Sequence, residues 1–128
     1  MTDSIPVAGT AARRTALVWM LYTGGLGLTL NVAPNALLPL FGLPPAQEVW
    51  VRVVGMFLLF IAWQNFAAWR SGNAELLRLS YQIRLTVPLF FGAYVALGLA
   101  PAILLMFAAV DVAAALWTRA ALAREGLA

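Results

Sequence analysis

At 128 residues, with no cysteine, no histidine and no lysine, the chain has no means of making a disulfide, an iron–sulfur cluster, a zinc site of the usual kinds, or a cysteine or histidine catalytic centre. With 63% hydrophobic and 10% charged residues and a mean hydropathy of +0.88, a soluble fold would carry more apolar surface than it could hide, which disfavours a soluble all-α bundle with buried central helices. The formal charge of +3 comes from arginines that flank apolar runs instead of lining one helix, so they suit lipid head groups and exclude nucleic acid as the partner.

Residues 1–12 are small and polar, with Pro6 and Gly9, and read as a short disordered cytoplasmic tail ahead of a single domain at residues 13–128. Four apolar stretches follow, at residues 15–32, 50–69, 83–100 and 101–118. Each is close to the roughly 20 residues that cross a bilayer. Arg13 and Arg14 before the first stretch loosely echo a twin-arginine signal. The rest of that pattern is missing and no small-x-small cleavage site follows, so the stretch is expected to remain as a span. Within it, Thr23 and Gly27 have the spacing that lets a neighbouring helix come close, and helix packing is the expected role. A phosphate loop is excluded, because no GK[ST] follows the glycines.

The connection at residues 33–49 holds Pro34, Pro39, Pro44 and Pro45 with Gly42, which precludes a continuous helix. Ala36 to Leu43 is nonetheless apolar, and is expected to lie in the outer interface as a helical turn or two. It could serve as a lid over the mouth of the bundle, but an apolar loop resting on lipid is the simpler expectation. Glu48 and Arg52, four residues apart, could pair at the start of the second span.

Ser71, Gly72 and Asn73 signal a turn, with Asn73 as the N-cap of the helix that follows. Leu76, Leu79 and Ile83 share one face of that helix and Glu75 and Arg78 another, so a cytoplasmic extension leads into the third span at Arg84. Pro88 should kink the span. The last two spans are joined so closely around Ala100 and Pro101 that they must form a hairpin. Trp19, Trp50, Trp63, Trp69 and Trp117 fall mostly near span ends, where indole prefers the interface.

Seven of the eight arginines, Arg13, Arg14, Arg70, Arg78, Arg84, Arg119 and Arg124, lie on what would be one side of a membrane. By the positive-inside rule the fold is an all-α, up-down antiparallel bundle of four transmembrane helices in the inner membrane, with both termini cytoplasmic.

Asp111 is the most informative single residue. It sits near the bilayer midplane by the rise per residue, where a lone charged carboxylate is expensive. It should therefore be protonated or hydrogen-bonded, with Tyr22 on the first span and Gln64 or Asn65 on the second as partners at similar depth. Arg52 is offset by about 12 Å along the membrane normal and is expected to reach the outer head groups. Asp111 is either a proton-linked or ligand-binding carboxylate or a polar packing contact.

The stretch from Asn31 through Pro34, Pro39, Phe41 and Gly42 to Pro44, followed by Val51-Arg52-Val53-Val54-Gly55 at the start of the second span, resembles the DoxX-like group of small four-helix bacterial membrane proteins. The resemblance covers nearly the whole chain in topology and aligns Arg52 and Gly55 with the recurrent second-helix positions of that group. It implies an association with quinone-linked redox systems and carries over no catalytic residue. Small dimeric four-pass multidrug exporters are similar in length and span count, but they rely on an acidic residue in the first span, which has none here.

The expected function is thus a non-catalytic membrane accessory protein that binds lipid, a quinone-like molecule or a partner subunit. The alternatives are a proton-coupled small-molecule transporter using Asp111, or a subunit of a quinone-linked oxidoreductase. No cofactor is predicted beyond a quinone or lipid. The partners are the lipid bilayer and either another membrane protein or further copies of the chain.

Overall fold

The computed structural model describes residues 4–128, and among them every regular element is helical. Helix α1 spans Thr10–Val32. A short α2 (Pro34–Leu37) runs into a 3-10 turn, Leu38–Phe41. The long helices α3 (Trp50–Ser71), α4 (Ala74–Ala96) and α5 (Leu104–Ala123) follow. Three of them, α1, α3 and α5, are long and apolar enough to cross a membrane. Helix α4 is as long as α1, but its first half carries Glu75, Arg78 and Arg84.

The punctuation is local chemistry. Helix α1 stops at Ala33, which leaves the helical region (φ −144°, ψ 62°) that the following Pro34 disfavours. Pro34 then opens α2, where its missing N–H is not needed. Helix α3 ends at Gly72 with φ +66°, a left-handed residue that lets its N–H reach the Ala68 carbonyl at 2.9 Å. Asn73 caps α4 as expected, its Oδ1 accepting from Glu75 N at 2.9 Å and Leu76 N at 3.3 Å. Helix α4 continues through Pro88, and the hairpin to α5 occupies residues 97–103, so α5 begins at Leu104 where the sequence placed its start at Pro101. It also runs past Thr118 to Ala123, because the residues that follow are helix formers.

Helices α1 and α3 are fastened at both ends. Near the start of α1, Arg13 donates to the Trp69 carbonyl at 2.8 Å and the Arg70 carbonyl at 2.6 Å. Toward its other end, Gly27 meets Gly55 backbone to backbone: a Cβ built on Gly27 would lie 2.7 Å from the Gly55 carbonyl oxygen. Buried Thr23 and Gly27 thus do the packing expected of their spacing. Helices α4 and α5 form a second pair, with Arg78 donating to the Leu127 carbonyl at 3.0 Å.

The core lies at the end holding both termini and the α3–α4 turn. Ala8, Ala12, Ala16, Ala68, Leu77, Tyr81, Ala115, Ala121 and Leu122 form it. The first twelve residues depart from the expectation of a free tail. Residues 1–3 lie outside the described residues, but Ala8 N donates to Gly72 O at 2.7 Å, Ala74 N to Pro6 O at 3.0 Å and Gly9 N to Glu125 Oε1 at 2.7 Å. Val7 and Asn73 form an isolated bridge, and helix α1 has already begun at Thr10. The physical reason is that the α3–α4 turn offers backbone groups that a passing strand can pair with.

Candidate functional site

Arg84 organises the site. The sequence placed it among the cytoplasmic head groups, yet it is only 4% exposed. It stands on the α4 face shared by buried Leu77, Ser80 and Tyr81, which are seven, four and three residues before it. Its Nε donates to the Ser80 carbonyl at 3.1 Å, and its Nη2 contacts Ser80 Oγ at 3.2 Å and Thr118 Oγ1 at 3.0 Å. The guanidinium also lies over the Trp19 ring, 4.8 Å from its centroid.

The contacts continue outward in both directions. Thr118 Oγ1 bonds Thr15 Oγ1 at 2.9 Å, and Ser80 Oγ donates to Asn65 Oδ1 at 3.0 Å. Five side chains, Thr15, Asn65, Ser80, Arg84 and Thr118, thereby join all four long helices in one buried polar chain. Such a network is favourable only when its members are satisfied. Among the described residues one buried side-chain nitrogen lacks a partner, the Nη1 of Arg84.

Beside this clasp, between the α1–α3 pair and the α4–α5 pair, lies a cavity of about 420 Å³. Its volume falls within the range of ligand pockets, about 300–1,000 Å³. Its polar lining is concentrated at one end, where Tyr22, Gln64, Ser80, Arg84 and Asp111 converge with Trp19. The remainder is apolar, bounded by Leu26, Leu58, Val87, Phe91 and Phe107. From Gln64 to Val51 the wall follows α3 for about 20 Å, by the rise per residue.

The proline-rich connection covers the far end. Leu38 is buried, and Phe41 packs edge-on against Phe107 with ring centroids 4.9 Å apart. Leu37, Leu38, Phe41 and Leu43 all line the cavity, while Leu40 points away and is exposed. The connection therefore does more than rest on lipid, since Leu37, Leu38, Phe41 and Leu43 form part of the cavity wall.

The candidates read from the sequence separate into three groups. Asp111, Tyr22 and Gln64 do come together, each half-buried on the cavity wall. Asn65 is fully buried one residue further round α3 and belongs to the clasp, its Nδ2 donating to the Ile61 carbonyl at 2.9 Å. Arg52 is exposed at the opposite end, donating through Nε to the Asn31 carbonyl at 3.1 Å, and lies outside the site. Among the described residues the Asp111 carboxylate takes part in none of the clasp bonds.

Arg84, Ser80, Thr15, Thr118 and Trp19 were not legible as site residues. The signal available was the four-residue spacing of Ser80 and Arg84 on a face that also carries Leu77 and Tyr81. That face marks Arg84 as inward, against the positive-inside reading.

No family model matches the chain, and no curated protein or solved structure is significantly similar to it. The class its own structure supports is an all-helical protein with three helices long and apolar enough to cross a membrane.

Proposed function

We propose that this chain is a four-helix, up-down antiparallel inner-membrane protein with both termini cytoplasmic, a non-catalytic accessory protein that holds an amphipathic small molecule in its cavity. Helix α4 supplies the third span in chain order, its apolar part following Arg84. The arginine asymmetry supports the topology: Arg13, Arg14, Arg70, Arg78, Arg119 and Arg124 fall at helix ends on the side that holds the termini, with Arg84 buried inward of them, against Arg52 at the other end. The many large apolar side chains exposed along the helices, Trp63, Leu89 and Phe57 among them, suit contact with lipid. The likeness to the DoxX-like group belongs with this reading.

The observation that carries the binding function is the cavity's polarity, apolar along its length with Tyr22, Gln64, Arg84 and Asp111 gathered at one end. That is the arrangement a molecule with an oil-soluble body and a polar head requires. Mass spectrometry of small molecules that copurify in mild detergent tests it. A molecule should be retained by the wild-type protein and lost from Leu58→Trp, in which the indole fills the cavity. Equal retention by both proteins would overturn the reading. For the topology, reporter fusions at Ser71 and Ala128 should both register cytoplasm.

A second reading, proton-coupled transport, rests on Asp111, an ionisable group at membrane depth on the wall of that cavity. Proton-dependent uptake in proteoliposomes, abolished in Asp111→Asn, would favour it over simple binding.

A further inference from the structure

The cavity is closed on most of its sides. Toward the chain termini the Arg84 clasp and the alanine-rich core shut it. At the other end Phe41 lies against Phe107, and Leu38 is buried. On the side of α1 and α5, Trp19, Thr23 and Leu30 are buried, and no other lining residue of either helix is exposed. Among the described residues three lining side chains are exposed: Val54 at 52%, Ile61 at 37% and Ile83 at 48%.

All three border one gap. On α3, Val54 and Ile61 each come one residue before a contact with α1: Gly55 abuts Gly27, and a Cβ on Gly24 would lie 3.5 Å from that of Ala62. On α4, Ile83 comes one residue before Arg84, which reaches Thr118 of α5. One residue turns a helix by about 100°. Each of the three is thus rotated away from its own helix's packing partner while still lining the cavity, and together they border the space between α3 and α4. The Ser80 Oγ bond to Asn65 Oδ1 ties these two helices at 3.0 Å. The gap opens about one turn beyond that tie, since Ile61 is four residues from Asn65 and Ile83 three from Ser80. From Ile61 to Val54 it runs about 10 Å along α3. Residues 54–61 of α3 hold no polar side chain, and the exposed Leu89 and Phe90 of α4 are apolar too.

Resting on the binding function proposed above, we infer that the occupant is a molecule already dissolved in the bilayer, and that it enters sideways through the α3–α4 gap without passing through water. With both helices spanning the membrane, the gap faces lipid. An amphiphile in the lipid meets no polar barrier at its apolar rim, whereas a water-borne polar solute would have to shed its hydration to reach it. The apolar body passes between Val54, Ile61 and Ile83, and the head comes to rest near Gln64, which lines the cavity next to the Asn65 tie.

The chain has no cysteine, so introduced thiols react alone. The test places Ile61→Cys with Ile83→Cys in the full chain, in phosphatidylcholine nanodiscs. A flexible bis-methanethiosulfonate bridges the two across the gap, and dithiothreitol reopens it. The probe is an aryl diazirine dissolved in the lipid, and peptide mass spectrometry reads the carbene adducts formed on illumination. Leu58 and Val87 of the cavity wall should be labelled in the open protein, lose most of that labelling when bridged, and regain it on reduction. Leu89, exposed to lipid, should be labelled equally in all three states. Where the double variant does not fold or bridge, Ile83→Trp narrows the gap from one side and should cut labelling of Leu58 severalfold. Labelling of Leu58 that survives the bridge or Ile83→Trp undiminished overturns the lateral route and leaves the binding function standing, because the cavity is then reached another way. If neither Leu58 nor Val87 is labelled in the open protein while Leu89 is, the cavity is closed to lipid-soluble molecules, and both the route and the binding function fall.

Discussion

At the end that holds both chain termini, the helices meet through Ala8, Ala12, Ala16, Ala68, Ala115 and Ala121, with Leu77, Tyr81 and Leu122 filling what remains. Toward the other end, Leu26, Leu58, Val54, Phe91 and Phe107 stand around a cavity of about 420 Å³. Both regions are apolar, and hydropathy does not tell them apart. What differs is side-chain size. Alanine lets two helix backbones approach until nothing fits between them, whereas leucine and phenylalanine hold the pairs apart. Even in the hollow half α1 stays close to α3 through Gly27 and Gly55, so the space opens between the two helix pairs and not within either. The Arg84 clasp sits at the boundary between the closed and open halves.

That contrast can be broken most severely at the closed end. Leu122 is fully buried, and Leu122→Ala should cost roughly 3 kcal/mol of unfolding free energy because the alanine-rich surroundings cannot collapse further. Leu58→Ala, on the cavity wall, should cost below about 1 kcal/mol, since it enlarges a space that is already there. Denaturation in mixed micelles compares the pair. Equal losses would show that the cavity does not exist in the folded protein.

The next effect probes the hollow half where it is tight. In Gly55→Val the new side chain would press on the Gly27 carbonyl oxygen, 2.9 Å from an ideal Cβ, and on Leu30. Separating α1 from α3 should cost about 2 kcal/mol and raise the rate of proteolysis at the connection of residues 33–49. A stable, protease-resistant variant would place the close approach elsewhere.

Asn73→Ala removes the acceptor that caps α4 at the turn where the N-terminal segment docks, and should lower stability by about 1 kcal/mol. The same change should increase amide exchange at Ala8 and Ala74 if the docked segment depends on that turn. Unchanged exchange would separate the two.

The smallest effect on stability is expected at the clasp itself. Arg84→Met removes a buried cation while leaving Ser80 bonded to Asn65 and Thr118 bonded to Thr15 and the Ala114 carbonyl. Melting should therefore shift by the equivalent of no more than about 1 kcal/mol, because the variant strands no polar partner. Retention of the copurifying molecule should nevertheless be lost. A large loss of stability would make Arg84 a structural residue first.

Much of this could be read along the chain. Ala33 before Pro34, Gly72 after Ser71 and Asn73 ahead of Ala74 announce their boundaries through local conformational rules, and each is where the sequence placed it. The depth match of Asp111, Tyr22 and Gln64 follows from a fixed rise per residue, so it too was legible. Arg84 was not, because its role depends on Thr118 and Trp19, distant residues that turn an interfacial cation into a buried one. The N-terminal residues were misread for a similar reason: small polar composition suits a free tail equally well until a turn elsewhere supplies backbone partners.

Sequence alone thus determined what is set within one or two helical turns or by composition. That includes the helical class, the apolar segments long enough for a membrane, the caps and breaks, and the absence of thiol and imidazole chemistry. Tertiary structure alone decided which polar residues share a wall, that Asn65 joins the clasp while its neighbour Gln64 faces the cavity, and that a cavity is present. The physical reason is that helix rotation and inter-helix distance depend on where small and large side chains on different segments meet, and no single segment records that pairing.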